Sequence, residues 1–243
     1  MSLHGKVALV TGGARRVGRA LSLALGRAGA DLVVSYRHSA READDVVAEL
    51  RACGRRALAI QADVSSAADV SRMIETAYAE LGRLDVVVNN AASFEAAPFL
   101  EIQEADWERV LAVNLKGPFL VTQAAAPRLR ESGSGVIVNI ADLSAFQPWP
   151  SYAHHAVSKA GLVHLTRVAA RALGPVIRVN CIAPGTVLPP EGYTGNGSDG
   201  TSDRRVVEQA GTPEDVDAAL LFQVESSFIT GQTVIVDGGR LLL

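Results

Sequence analysis

Short, mostly apolar runs alternate with stretches of helical periodicity along almost the whole chain. Val7-Ala8-Leu9-Val10 comes first and stops at Thr11-Gly12-Gly13. A short run with no polar face predicts a strand buried on both sides. Val17, Leu21, Leu25 and Ala28 then recur at helical spacing until Gly29. The same signals predict further strands at Leu32–Val34, Ala57–Ile60, Leu84–Val88, Val136–Ile140, Val176–Cys181 and Val234–Val236. Helices are expected over Ala40–Ala52, Ala67–Leu81, Asp106–Arg130 and Tyr152–Leu173.

Strands buried on both faces, each followed by an amphipathic stretch, predict an α/β fold. The expected form is a Rossmann-type doubly wound parallel sheet of seven strands with helices on both faces. No break in composition divides the chain, so 1–243 reads as a single domain. Pro189–Asp203 differs in carrying Gly192, Gly195, Gly197 and Gly200 among Asn, Ser and Thr. It predicts a flexible substrate loop at about 186–206, a common place for a lid in such folds.

Composition narrows the function classes. With 48% hydrophobic residues in 243, the chain can bury a sizeable core and is not a disordered protein. Its 23 Lys and Arg against 26 Asp and Glu give a charge of −3, which argues against a dedicated nucleic-acid binder. No 18-residue apolar run is present, so no membrane span is expected. Cys53 and Cys181 lie far apart among five scattered histidines, so no metal site is expected and both thiols read as buried apolar residues. The start, Met1 to Lys6, lacks a signal-peptide layout, and the expected location is cytoplasmic.

The first strand runs into Thr11-Gly12-Gly13-Ala14-Arg15-Arg16-Val17-Gly18, and a helix follows. Glycines at a strand–helix junction allow a tight turn, and the helix N-terminus attracts a pyrophosphate. Gly12, Arg15, Arg16, Val17 and Gly18 are therefore candidate cofactor contacts. An acid at the end of the second strand would favour NAD. Here that end reads Tyr36-Arg37-His38-Ser39, which offers donors to a 2′-phosphate and predicts NADP, with Arg15 as a further donor.

These residues resemble the short-chain dehydrogenase/reductase family, whose loop is T-G-x-x-x-G-x-G. Arg16 in place of the middle glycine is similar to the pteridine reductases and dihydromonapterin reductases of that family. The resemblance runs from Gly5 to Gly239 and includes Asn89-Asn90-Ala91, Ala183-Pro184-Gly185 and Val236-Asp237-Gly238-Gly239. It implies cofactor contacts at Asp63, Val64, Asn90, Ala91, Pro184, Gly185 and Val187. A helix N-cap is the competing role for Asp63. Ser93 and Phe94 continue the motif, and the resemblance implies that Phe94 stacks a flat substrate bordered by Arg16 and Tyr152.

The family's catalytic group is Asn, Ser, Tyr and Lys. Asn114 and Lys159 match, and the resemblance implies that Asn114 holds a water and that Lys159 binds the nicotinamide ribose. Asp142 stands seventeen residues before Lys159, where the family has Ser and the pteridine reductases have Asp. His155 stands four before Lys159, at the tyrosine position. An imidazole titrates at about pH 6.5 in model peptides and can serve as an acid. The expected activity is an NADPH-dependent reductase of a flat heteroaromatic small molecule, a dihydropterin or dihydrofolate-like compound. The alternatives are a 3-oxoacyl or other carbonyl reductase, and a catalytically impaired NADP-binding protein. The resemblance also implies a homotetramer.

Overall fold

The computed structural model describes residues 2–188 and 205–243. Seven strands form one sheet in the order β3-β2-β1-β4-β5-β6-β7, and every neighbouring pair is parallel. The strands are β1 (Val7–Val10), β2 (Asp31–Tyr36), β3 (Ala57–Gln61), β4 (Val86–Asn89), β5 (Gly135–Ile140), β6 (Ile177–Pro184) and β7 (Thr233–Val236). The chain starts at an inner strand, β1, winds outward through β2 and β3, then returns to β4 and winds the other way. The order reverses between β1 and β4, and a crevice opens there at the carboxyl ends of the strands.

Successive strand residues face opposite sides, which explains the unbroken apolar runs. Ala8 and Val10 of β1 pack with α1 (Arg16–Arg27), α2 (Ala40–Ala52) and α7 (Pro213–Glu225). Val7 and Leu9 pack on the other face with α3 (Ala67–Leu81), α5 (Gly117–Glu131) and the C-terminal part of α6 (Ala153–Leu173).

Four expectations are corrected. The stretch Asp106–Arg130 is not one helix: α4 (Glu104–Leu111) and α5 are joined by a π-helical turn over Ala112–Lys116. Helix α6 begins at Ala153, because Pro150–Tyr152 forms a 3₁₀ turn ahead of it. Helix α7 was not read from periodicity, although Thr212 and Asp215 form a capping box with Pro213 at the first helical position. Cys181 is buried but Cys53 is exposed, since it closes α2 at the surface just before the turn at Gly54. The Gly-rich stretch expected to form a lid falls almost wholly outside the described residues. Among those described, no helix is long and apolar enough to cross a membrane.

Candidate active site

The loop between β1 and α1 is held from the side by β4. Asn90 Nδ2 donates to the carbonyls of Thr11 and Gly12 at 2.9 and 3.0 Å, and Thr11 Oγ1 accepts from the N–H groups of Asn90 and Ala91. Gly12 has a φ of 61°. A Cβ at Gly18 would sit 2.1 Å from the Gly12 carbonyl oxygen and 2.5 Å from Asn90 Nδ2, so only glycine lets the helix approach so closely. The first turn of α1 has no side-chain cap and no acidic residue. Its N–H groups suit a diphosphate group. Arg16 has a left-handed backbone, with a φ of 51°. Its guanidinium donates to the Leu188 carbonyl at 3.1 Å, tying this loop to the chain after β6.

A cleft of about 630 Å³ lies over the switch point. It brings together Gly12, Arg15, Arg16, Val17, Gly18, Tyr36, Arg37, His38, Ser39, Asp63, Val64, Asn90, Ala91, Ser93 and Phe94, all expected from sequence. Pro184 and Gly185 lie at the end of β6 and are not part of its lining. Val187 lines a neighbouring cleft of about 380 Å³ with Arg205, Asp237 and Arg240. Arg37 Nε is 3.0 Å from Asp63 Oδ2. Asp63 Oδ1 accepts from the backbone and hydroxyl of Ser65 at 2.9 and 2.6 Å, so Asp63 also caps the turn into α3. Burial works to raise the Asp63 pKa, but the Ser65 bonds and the Arg37 charge outweigh it and hold the carboxyl below its ordinary value.

At one end of the cleft Phe94 is 46% exposed. Its ring stacks on Tyr152 at 4.5 Å and meets the edge of His155 at 4.8 Å. His155 therefore stands behind Phe94, with its side chain only 2% exposed. His155 Nε2 is 2.6 Å from Asp142 Oδ2. Burial pushes the Asp142 carboxyl up. The bond from His155 and the charges of Lys159 and His155 overcome that push, aided by Ser144, and bring it down to about 2. Lys159 is buried and donates to the Ile140 carbonyl at 2.8 Å. Burial lowers its pKa, opposed by the charge of Asp142.

Asn114 sits in the π turn with its side chain turned inward. Its Oδ1 accepts from Ser93 N at 2.7 Å, and its Nδ2 lies 2.9 Å from the Ser93 carbonyl and 3.1 Å from Ser158 Oγ. The Asn114 side chain thus clamps the segment that follows β4. Asn114 and Asp142 both lie against His155, and Lys159 stands one helical turn after it on α6.

Three contributors were not read from sequence. Ser144 donates through its backbone and hydroxyl to Asp142 Oδ1, a pairing two residues apart that Asp and Ser commonly make. Ser158 links Asn114 to the backbone of α6. Arg109 of α4 pairs with Glu95 beside Phe94, and both line the cleft. Nothing local marks Arg109, which carries the ordinary signature of a helix surface.

A parallel sheet with an open crevice at its switch point, a glycine loop and a Lys–His–Asp–Asn cluster defines a dinucleotide-binding α/β protein. A family model described as enoyl-(acyl carrier protein) reductase matches residues 12–240. The 3-oxoacyl-[acyl-carrier-protein] reductase of Synechocystis sp. is 35% identical over 245 residues, covering 99% of both chains. The enzyme of the same name from Staphylococcus aureus is 36% identical over 98% of both. A short-chain dehydrogenase from Burkholderia cenocepacia, solved in complex with NADP, superposes with a TM-score of 0.90 at 35% identity, covering 98% of this chain and 99% of that one. A dehydrogenase/reductase from Sinorhizobium meliloti also reaches 0.90 at 35% identity, over 98% and 96%. The chain belongs to the short-chain dehydrogenase/reductase family.

Proposed function

We propose that the chain is an NADPH-dependent reductase of a 3-oxoacyl-type carbonyl, with Asp142 and His155 together as the proton source. The observation that carries this reading is the 2.6 Å contact between His155 Nε2 and Asp142 Oδ2 beside buried Lys159. The names of the curated relatives favour a carbonyl substrate over the dihydropterin expected from the Arg16, Phe94 and Asp142 pattern.

When bound, NADPH supplies a hydride to the carbonyl carbon. The α1 N-terminus and Arg16 would hold the diphosphate, and Arg37, His38 and Ser39, joined by Arg15, would hold the 2′-phosphate. Asp63, Val64, Asn90 and Ala91 flank the adenosine half. Lys159 would hold the ribose, and Pro184, Gly185 and Val187 would border the nicotinamide half. Asp142, with its side chain 21% exposed, is the part of the pair that reaches the substrate oxygen. The proton held between Asp142 Oδ2 and His155 Nε2 leaves through it to the developing alkoxide. Phe94 and Tyr152 keep bulk water from His155.

A second reading is supported by the exposed face of Phe94. A flat nitrogen heterocycle such as a dihydropterin could stack there, bordered by Arg16, Ser93 and Tyr152. A homotetramer, supported by exposed Phe119, Leu242 and Leu243, and work in the cytoplasm complete the reading.

NADPH oxidation measured with an acetoacetyl thioester and with a dihydropterin tests it. Faster turnover of the thioester is expected. Turnover of the pterin alone establishes the second reading. NADPH binding with turnover of neither substrate overturns both and leaves a cofactor-binding protein without this activity.

A further inference from the structure

His155 is buried with polar atoms against both ring nitrogens, so its hydrogen-bonding state needs its own account. An imidazole has two nitrogens, and the partner of one decides what the other can do. Here the neighbours of both are fully specified.

Asn114 Nδ2 carries two hydrogens and has three neighbours: the Ser93 carbonyl at 2.9 Å, Ser158 Oγ at 3.1 Å and His155 Nδ1 at 3.2 Å. Ser158 Oγ spends its own hydrogen on the His155 carbonyl at 2.6 Å, so it can only accept from Asn114. The Ser93 carbonyl lies 3.0 Å from His155 Nδ1. Were Nδ1 to accept from Asn114, its lone pair would face that carbonyl oxygen with no hydrogen between them. Were Nδ1 to carry a hydrogen, every group would be satisfied. Asn114 would donate to Ser93 and Ser158, and the Ser93 oxygen would receive one bond on each lone pair, from Asn114 and from His155.

The far side of the ring is equally constrained. Asp142 Oδ1 accepts twice from Ser144, through the backbone N–H at 2.8 Å and through the hydroxyl. Only Oδ2 remains for His155 Nε2. The proton on that side is therefore confined to the Oδ2–Nε2 line.

We infer that the Ser93 main-chain carbonyl, held by Asn114, is the positioning group that keeps hydrogen on His155 Nδ1 and commits Nε2 to Asp142. Ser93 and Asn114 act through His155 and need not touch the substrate. The arrangement supplies in this chain an orienting partner for an imidazole at a position where a phenol would need none. Its consequence for turnover rests on the proton-source reading above; the hydrogen positions themselves do not.

Long-range ¹H–¹⁵N correlation spectra of the ligand-free protein labelled at its five histidines test the assignment. His155→Phe identifies the resonances. In the unmodified protein at neutral pH, Nδ1 of His155 is expected to show the shift of a protonated nitrogen, with Nε2 coupled to a proton shared with Asp142. Asn114→Ala should release the carbonyl and mix the Nδ1–H and Nε2–H forms. An unprotonated Nδ1 in the unmodified protein overturns the inference, and so does an Asn114→Ala spectrum identical to it. If Asn114→Ala does not fold, the Nδ1 shift of the unmodified protein decides. Thioester turnover is measured separately, so an inactive protein with a protonated Nδ1 would refute the function and keep the assignment.

Discussion

Arg37 reaches Asp63 through Nε at 3.0 Å, so the residue proposed to hold the 2′-phosphate already sits against a carboxylate of the same cleft. Gln61 Nε2 donates to the Arg37 carbonyl at 3.0 Å and steadies its backbone. A charge-assisted bond to phosphate contributes about 1.5–3 kcal/mol, and about 1.4 kcal/mol is tenfold. Arg37→Asp should therefore shift the ratio of kcat/KM for NADPH over NADH by tenfold or more toward NADH. Binding titrations with both cofactors check it, and an unchanged ratio removes Arg37 from the phosphate site.

Arg16 holds a left-handed φ of 51° at the start of α1. That conformation costs an L-residue roughly 1–2 kcal/mol and glycine little. Arg16→Gly and Arg16→Ala both lose the bond to Leu188, but only Ala keeps the strain. The Gly variant should be the more stable by about 1 kcal/mol, seen as a Tm higher by about 2–4 °C. Both should bind NADPH more weakly than the parent. Equal melting of the two variants would show that the turn relaxes when the arginine is removed.

The Asp142–His155 pair predicts two pH-linked effects. Asp142 has a folded pKa brought down to about 2 from an ordinary 3.8. The folded state thus binds the proton less readily than the unfolded state. The stabilisation, about 2 kcal/mol, is complete above pH 4 and is lost as pH falls through about 2. Urea unfolding of Asp142→Asn across that window should lack this part of the slope. In catalysis, His155→Phe should cost about two orders of magnitude in single-turnover hydride transfer. His155→Tyr should restore carbonyl reduction with a flatter pH profile. A His155→Phe variant as fast as the parent would leave Asp142 to work without the imidazole.

Asp217 on α7 presents a different case. Its Oδ1 is buried without a hydrogen-bond partner. Burial, and then the charge of Glu214, push its carboxyl up to about 6 against the pull of Arg27. The folded state binds this proton more tightly than the unfolded state, so the ionised group opposes folding as pH rises above its ordinary 3.8 and does so fully above about 6. Asp217→Ala should be more stable than the parent at pH 7. The gain should shrink as pH falls toward 4. A gain independent of pH would assign the effect to helix propensity instead.

The strands and the glycine loop were legible along the chain because their causes are local or nearly so. A strand buried on both faces favours an apolar run, unbroken in Val7–Val10 and interrupted only by Asn139 in Val136–Ile140, and the approach of Gly18 to the Gly12 carbonyl admits no Cβ. The pairing of His155 with Lys159 was legible because residues four apart share one helix face, whereas Asp142 was marked only by the family resemblance. The division of the stretch from Asp106 to Arg130 was not, because the wide turn at Asn114 follows from where its side chain must reach. Ser93 and His155 are 62 residues apart, and Asn114 and His155 are 41 apart. Whether the imidazole faces the cleft or stands behind Phe94 depends on how three separate elements pack beyond the carboxyl ends of β4 and β5. Side-chain direction in such a place is set by long-range contacts and by the need to satisfy buried polar atoms, and neither leaves a periodic trace in the chain.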